Sequence, residues 1–151
     1  MELKDKKVIL TGGAKGIGYE IARHLINEGA YLGILDIDFS RKSFQSIKKS
    51  SKIFLSNCDV TNKDAVKDSV DQYFDKYGEI DVLINNAGII YNEPLIIIKD
   101  RKLIKHDLKM WHKVISNDLD SVFIVTMEVV EKMILKRTKG VILNISSISA
   151  D

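Results

Sequence analysis

The feature that most narrows the fold is an alternation. Short apolar runs take turns with longer stretches whose apolar residues recur every three or four positions. Lys7-Val8-Ile9-Leu10-Thr11 reads as a buried strand, and residues 31–35, 53–55, 82–84 and 141–145 read as further strands. Residues 17–28 place Ile17, Ile21, Ala22, Leu25 and Ile26 on one helical face, and Gly29 supplies the stop. Residues 39–50 suggest a short polar helix. Asp59-Val60-Thr61-Asn62 offers N-cap side chains for a helix with Val66, Val70, Tyr73, Phe74 and Tyr77 on its inner face, closed by Gly78. A long helix is expected over residues 108–136, after an irregular stretch at 89–107 that holds the sole proline, Pro94. This order argues for a parallel sheet with helices on both faces. Uninterrupted apolar strands at 8–10 and 82–84 agree, because parallel strands are covered on both sides.

Composition excludes several classes. Apolar residues make up 45% and charged residues 29% of the 151, as in ordinary soluble globular chains. The net charge of +2 leaves no general nucleic-acid surface, and the basic stretch at 99–109 is interrupted by Asp100 and Asp107, as in a solvated loop. The opening MELKDKK is charged and the first apolar run is short, so neither a signal peptide nor a membrane association is expected. Cys58 is the only cysteine, which fits a reducing cytosol and a cytoplasmic location. His24, His106 and His112 stand apart, so no metal is expected.

Between the first strand and first helix lies Thr11-Gly12-Gly13-Ala14-Lys15-Gly16-Ile17-Gly18. Gly12 suits a tight turn, Gly16 lets a pyrophosphate approach the positive end of the helix, and Gly18 lets helix and strand pack closely. A nucleoside-triphosphate loop would need Gly-Lys-Ser/Thr here, and Lys15 is followed by Gly16. A methyltransferase turn stays open on this segment alone. The second strand ends at Asp36, the spacing at which a dinucleotide fold places its ribose-binding acid. A carboxylate there accepts from ribose hydroxyls and repels a 2′-phosphate, which favours NAD(H). Lys15 pulls the other way, since its ammonium could meet a 2′-phosphate, pair with Asp36 or stay in solvent. NADP(H) stays open. So does the blander reading of Asp36 as a loop cap.

Four motifs together resemble the short-chain dehydrogenase/reductase family: Thr11-Gly12-x-x-x-Gly16-Ile17-Gly18, Cys58-Asp59-Val60, Asn85-Asn86-Ala87-Gly88, and Asn144-Ile145-Ser146-Ser147-Ile148-Ser149-Ala150. Their order and separations fit along nearly the whole chain, and the NNAG turn removes the methyltransferase alternative. Within the family the chain looks most like bacterial reductases related to 3-oxoacyl-carrier-protein reductases. The resemblance implies an α/β fold, a Rossmann-type doubly wound parallel sheet of five strands in order 3-2-1-4-5 that stops before the last strands. Residues 1–151 would form one dinucleotide-binding domain. Gly12, Lys15, Gly16, Ile17 and Gly18 would line the pyrophosphate and adenosine side, Asp36 and Ile37 the adenine ribose, and Asp59 and Val60 the adenine. Asn86, Ala87 and Gly88 would pass close to the cofactor ribose, and Ser147 would be the catalytic serine. The implied reaction is hydride transfer between nicotinamide and a small carbonyl or alcohol.

Two departures stand out. The family pairs its serine with a Tyr-x-x-x-Lys segment that supplies the proton; the chain ends at Asp151 without one. The family's catalytic asparagine position is occupied by Asp118, in Val114-Ile115-Ser116-Asn117-Asp118-Leu119. Asn117 is one residue off, about 100° around a helix, and could serve only if that helix were distorted. Three readings follow: a fragment of an NAD-dependent oxidoreductase, inactive alone; a dinucleotide-binding module or partner subunit; or an interaction scaffold. The resemblance further implies a homo-oligomer through the long helix. Exposed apolar surface on residues 141–145 predicts poor solubility of the isolated chain or a non-productive oligomer.

Overall fold

The computed structural model describes residues 2–40, 44 and 50–147. Five parallel strands form the main sheet: β1 (Lys7–Thr11), β2 (Tyr31–Asp36), β3 (Ile53–Asn57), β4 (Val82–Asn85) and β7 (Val141–Asn144). Their spatial order is β3-β2-β1-β4-β7, the expected order with the fifth sheet strand renumbered. A second, two-stranded sheet pairs β5 (Ile96–Lys99) with β6 (Lys102–Lys105).

Both faces of the main sheet are covered around β1, β2 and β4, as their apolar runs require. Alternate residues of a strand point to opposite faces. Val8, Leu10, Leu32, Ile34, Val82 and Ile84 meet Ala22 and Leu25 of α1 (Gly16–Asn27). Ile9, Leu35 and Leu83 meet Val66, Val70 and Tyr73 of α2 (Lys63–Tyr77) and Val125, Val129 and Met133 of α4 (Ser121–Lys136). Tyr73 lies under Gly33, whose missing Cβ makes room for the ring, and its hydroxyl donates to the Tyr31 carbonyl at 3.0 Å. Burial pushes its phenol far above the usual range.

The helix ends follow local chemistry. Asn62 caps α2 by accepting from the Asp64 and Ala65 amides, and Gly78 ends it in the left-handed region at φ 76°. The helix expected at 39–50 falls mostly outside the described residues. Phe44, which is described, is fully buried against the α1 face.

Two expectations are corrected. The stretch at 89–107 is not wholly irregular: β5 and β6 form an antiparallel hairpin turned by Asp100 and Arg101, both at positive φ. The helix expected over 108–136 is not one α-helix. α3 (Leu108–Ile115) and α4 are joined by a π-type turn at Ser116–Asp120, where the Ser121 amide reaches back five residues to the Ser116 carbonyl. Strand β7 is exposed along its length, as expected from its sequence.

Candidate functional site

The carboxyl ends of β1, β3 and β4 bring the first three motifs toward one edge of the sheet, and that of β2 brings Asp36. Thr11 is the knot. Its hydroxyl accepts from the Asn86 and Ala87 amides at 3.0 Å each, while Asn86 Nδ2 donates to the carbonyls of Thr11 (3.0 Å) and Gly12 (2.9 Å). The glycine turn and the Asn85-Asn86-Ala87-Gly88 turn are therefore one hydrogen-bonded unit. Neither Thr11's role nor this junction was read from the sequence, because a threonine ending a strand looks like any other β-branched residue there.

The glycines divide by what surrounds them. A Cβ on Gly18 would fall 2.1 Å from the Gly12 carbonyl oxygen, and one on Gly12 would fall 2.8 Å from Ala87 Cα. Those two are demanded by the fold. Gly16 differs: it sits at φ +57° with nothing within 4 Å of where its Cβ would be. The space is open at the start of α1, whose N-cap residue Lys15 makes no side-chain cap. Uncapped amides beside an open glycine are the features an anionic diphosphate would use, so the turn fits the dinucleotide implied by the motifs. Ile17, next in line, is 69% exposed.

Asp36 is buried at the end of β2. One carboxylate oxygen accepts from the Ala14 amide at 2.9 Å, the other from Asp38 at 3.1 Å. No ion pair joins it to Lys15, which is exposed. Ile37 is exposed beside it. At the end of β3, Asp59 Oδ1 accepts from the amide and hydroxyl of Thr61, and its other oxygen carries no hydrogen bond. Val60 is buried in the core. Burial pushes the neighbouring Cys58 thiol upward, which keeps it protonated and inert.

The π-type turn sends Asn117 and Asp118 to different partners. The helix is distorted as an Asn117 role would need, yet Asn117 Nδ2 turns back to the Lys113 carbonyl at 2.8 Å. Asp118 instead reaches the NNAG turn, where its Oδ1 accepts from the Ile89 amide at 2.9 Å. Its oxygen also lies 3.3 Å from where a Cβ on Gly88 would be. Asn85 ties the same region together, donating to Asn144 Oδ1 at 2.9 Å and Thr126 Oγ1 at 3.1 Å. Ser147 is exposed just beyond β7; Ile148, Ser149 and Ala150 of that motif lie outside the described residues. Among the described residues no cluster could hold a metal, and no helix is long and apolar enough to cross a membrane.

Comparison with known proteins agrees with this fold. The sequence profile for short chain dehydrogenases matches residues 6–151. The 3-oxoacyl-[acyl-carrier-protein] reductase of Thermotoga maritima is 35% identical over 153 residues, covering 98% of this chain and 58% of the relative. Zerumbone synthase of Zingiber zerumbet is 34% identical, covering 99% of this chain and 54% of the relative. A short chain dehydrogenase from Leptospira borgpetersenii, solved with bound NAD+, superposes with a TM-score of 0.81 at 27% identity, covering 97% of this chain and 53% of that one. The chain spans about half the length of the curated relatives it matches.

Proposed function

This chain belongs to the short-chain dehydrogenase family, and on that premise we propose that it holds NAD(H), in preference to NADP(H), for hydride exchange with a small carbonyl or alcohol. The observation that carries the cofactor choice is the buried Asp36 carboxylate, fixed beside the glycine turn. It would accept from ribose hydroxyls, and its charge would oppose a 2′-phosphate.

The bound nicotinamide would supply the hydride; the residues here bind and orient. Gly16 and the first amides of α1 would receive the diphosphate, with Gly12, Lys15, Ile17 and Gly18 shaping that side. Ile37 would flank the adenine ribose, and the unengaged Asp59 oxygen would accept from the adenine amino group beside Val60. Asn86, Ala87 and Gly88 would run past the second sugar. The Ser147 hydroxyl would hydrogen-bond the substrate oxygen. Asp118 would keep the acceptor half of the family's asparagine while lacking its donor. The exposed Phe123, Met127 and Ile134 of α4 would pair two copies. In cells, the protein is expected in the cytoplasm.

A titration following NADH and NADPH fluorescence tests the cofactor reading. Tighter NADH binding is expected, and a clear NADPH preference would remove the role given to Asp36. A second reading is a dinucleotide-binding module without catalysis, favoured by Asp118 at the asparagine position. These 151 residues contain no Tyr-x-x-x-Lys, so they are expected to bind without turnover. Robust dehydrogenase activity that disappears in Ser147→Ala would reject both that expectation and the module reading.

A further inference from the structure

We propose that Asp36 is also the positioning residue of the phosphate turn: the carboxylate that selects the sugar is the strut that shapes the diphosphate site. This inference rests on the NAD(H) reading and deepens it. Ala14 is fully buried, and its amide donates to Asp36 Oδ2 at 2.9 Å. Without that oxygen the amide would be a buried donor without a partner, which the turn would relieve by changing shape.

Both carboxylate oxygens are engaged, and the backbone that carries them is pinned as well. Asp38 donates to its Oδ1 at 3.1 Å, Cys58 donates to the Asp36 carbonyl at 3.0 Å, and Gly12 donates to the Leu35 carbonyl at 2.8 Å. Asp36 is only 6% exposed. An exposed acid could swing away to admit a 2′-phosphate; this one cannot without releasing Ala14. Lys15 does not neutralise it, being exposed and unpaired with it. Cofactor choice and turn geometry are therefore coupled, and removing the acid weakens both dinucleotides instead of exchanging one for the other.

Two substitutions separate strut from charge. Asp36→Ala removes both. Asp36→Asn keeps one acceptor oxygen, which turns toward the buried Ala14 amide because water can serve the exposed Asp38 amide. Amide exchange at Ala14, followed by NMR without cofactor, is expected to quicken about tenfold in Asp36→Ala and to stay within about threefold in Asp36→Asn. Both dinucleotides are expected to bind more weakly to Asp36→Ala, NADH by about tenfold or more and NADPH by less because its 2′-phosphate is no longer repelled, while Asp36→Asn loses mainly the preference between them.

Unchanged Ala14 exchange in Asp36→Ala, or equal behaviour of the two variants, would overturn the proposal. A through-hydrogen-bond coupling between the Ala14 nitrogen and the Asp36 carboxyl carbon, read in the unmodified chain, tests it even if a variant fails to fold. Its absence overturns the strut. If that coupling is present and neither nucleotide binds, the strut stands and the cofactor reading falls.

Discussion

The glycine turn and the β5–β6 hairpin are loops of similar length at very different levels of constraint. In the turn, a methyl group added at Gly18 or Gly12 meets backbone, and the Thr11 and Gly12 carbonyls are both held by Asn86. The hairpin belongs to no other sheet, and its side chains stand in solvent, with Ile98 76% and Leu103 71% exposed. At its base the His106 amide donates to the Leu95 carbonyl at 2.9 Å, which closes the pair on itself. The difference teaches where sequence is dictated by packing. In the turn, residue type follows from atoms within van der Waals reach; in the hairpin it follows only from the backbone.

The largest expected effect tests the crowded side of that comparison. Gly18→Ala would drive a methyl into the Gly12 carbonyl oxygen, which is backbone and cannot rotate aside. Overpacking of this kind costs about 3 kcal/mol or more. A urea midpoint within error of the unmodified chain would show that the turn yields more easily than its contacts imply. Next is Asp81, whose carboxylate holds the Lys7 amide at 2.8 Å and the Lys6 ammonium at 2.8 Å, clamping the start of β1 to β4. Asp81→Ala leaves that amide unserved and is expected to cost about 1–3 kcal/mol in the same measurement.

The contrast also explains what could be read from the chain alone. The strands, both helical faces and the NNAG turn were legible because each is enforced by burial or by close backbone approach, whereas strand order came only from the family resemblance. The hairpin was not. Its turn is Asp100-Arg101, both at positive φ, where the recognisable signal would be Asn-Gly or Asp-Gly. Alternation along β5 is also hidden, since Ile96, Ile97 and Ile98 are apolar on both faces. The π-type turn left no compositional mark, so the geometry that sends Asp118 to Ile89 and Asn117 to Lys113 needed coordinates. Asp36 was legible as an acid at a strand end, but not its grip on Ala14, because hydrogen bonds between distant turns carry no local pattern.

A smaller effect concerns acid stability on the body of the fold. Hydrogen bonds from Lys132 and Lys67 hold the Asp71 carboxyl below its ordinary value of 3.8, joining α2 to α4. With the folded value depressed, the stabilisation is complete above the unfolded value and is lost as pH falls through the folded one. Stability is therefore expected to drop below about pH 3.8, the ordinary aspartate value. Asp71→Asn should flatten that part of the profile, as read from urea midpoints across the acid range. An unchanged acid slope would mean that the ammonium groups find water as good a partner as the carboxylate.

The smallest expected effect tests the open side. Ile98→Ser removes an apolar side chain from a strand whose neighbours across the pair are Leu103 and, diagonally, Lys105 and Arg101. Little area is withdrawn from water there, so the lost transfer energy is small, and serine's lower strand propensity acts on an element that supports nothing else. The midpoint is expected to shift by less than about 0.5 kcal/mol. Its value lies in the possible surprise: a loss comparable to Asp81→Ala would mean that Ile98 is covered in solution, and that the hairpin is as constrained as the turn by a surface the lone chain does not carry.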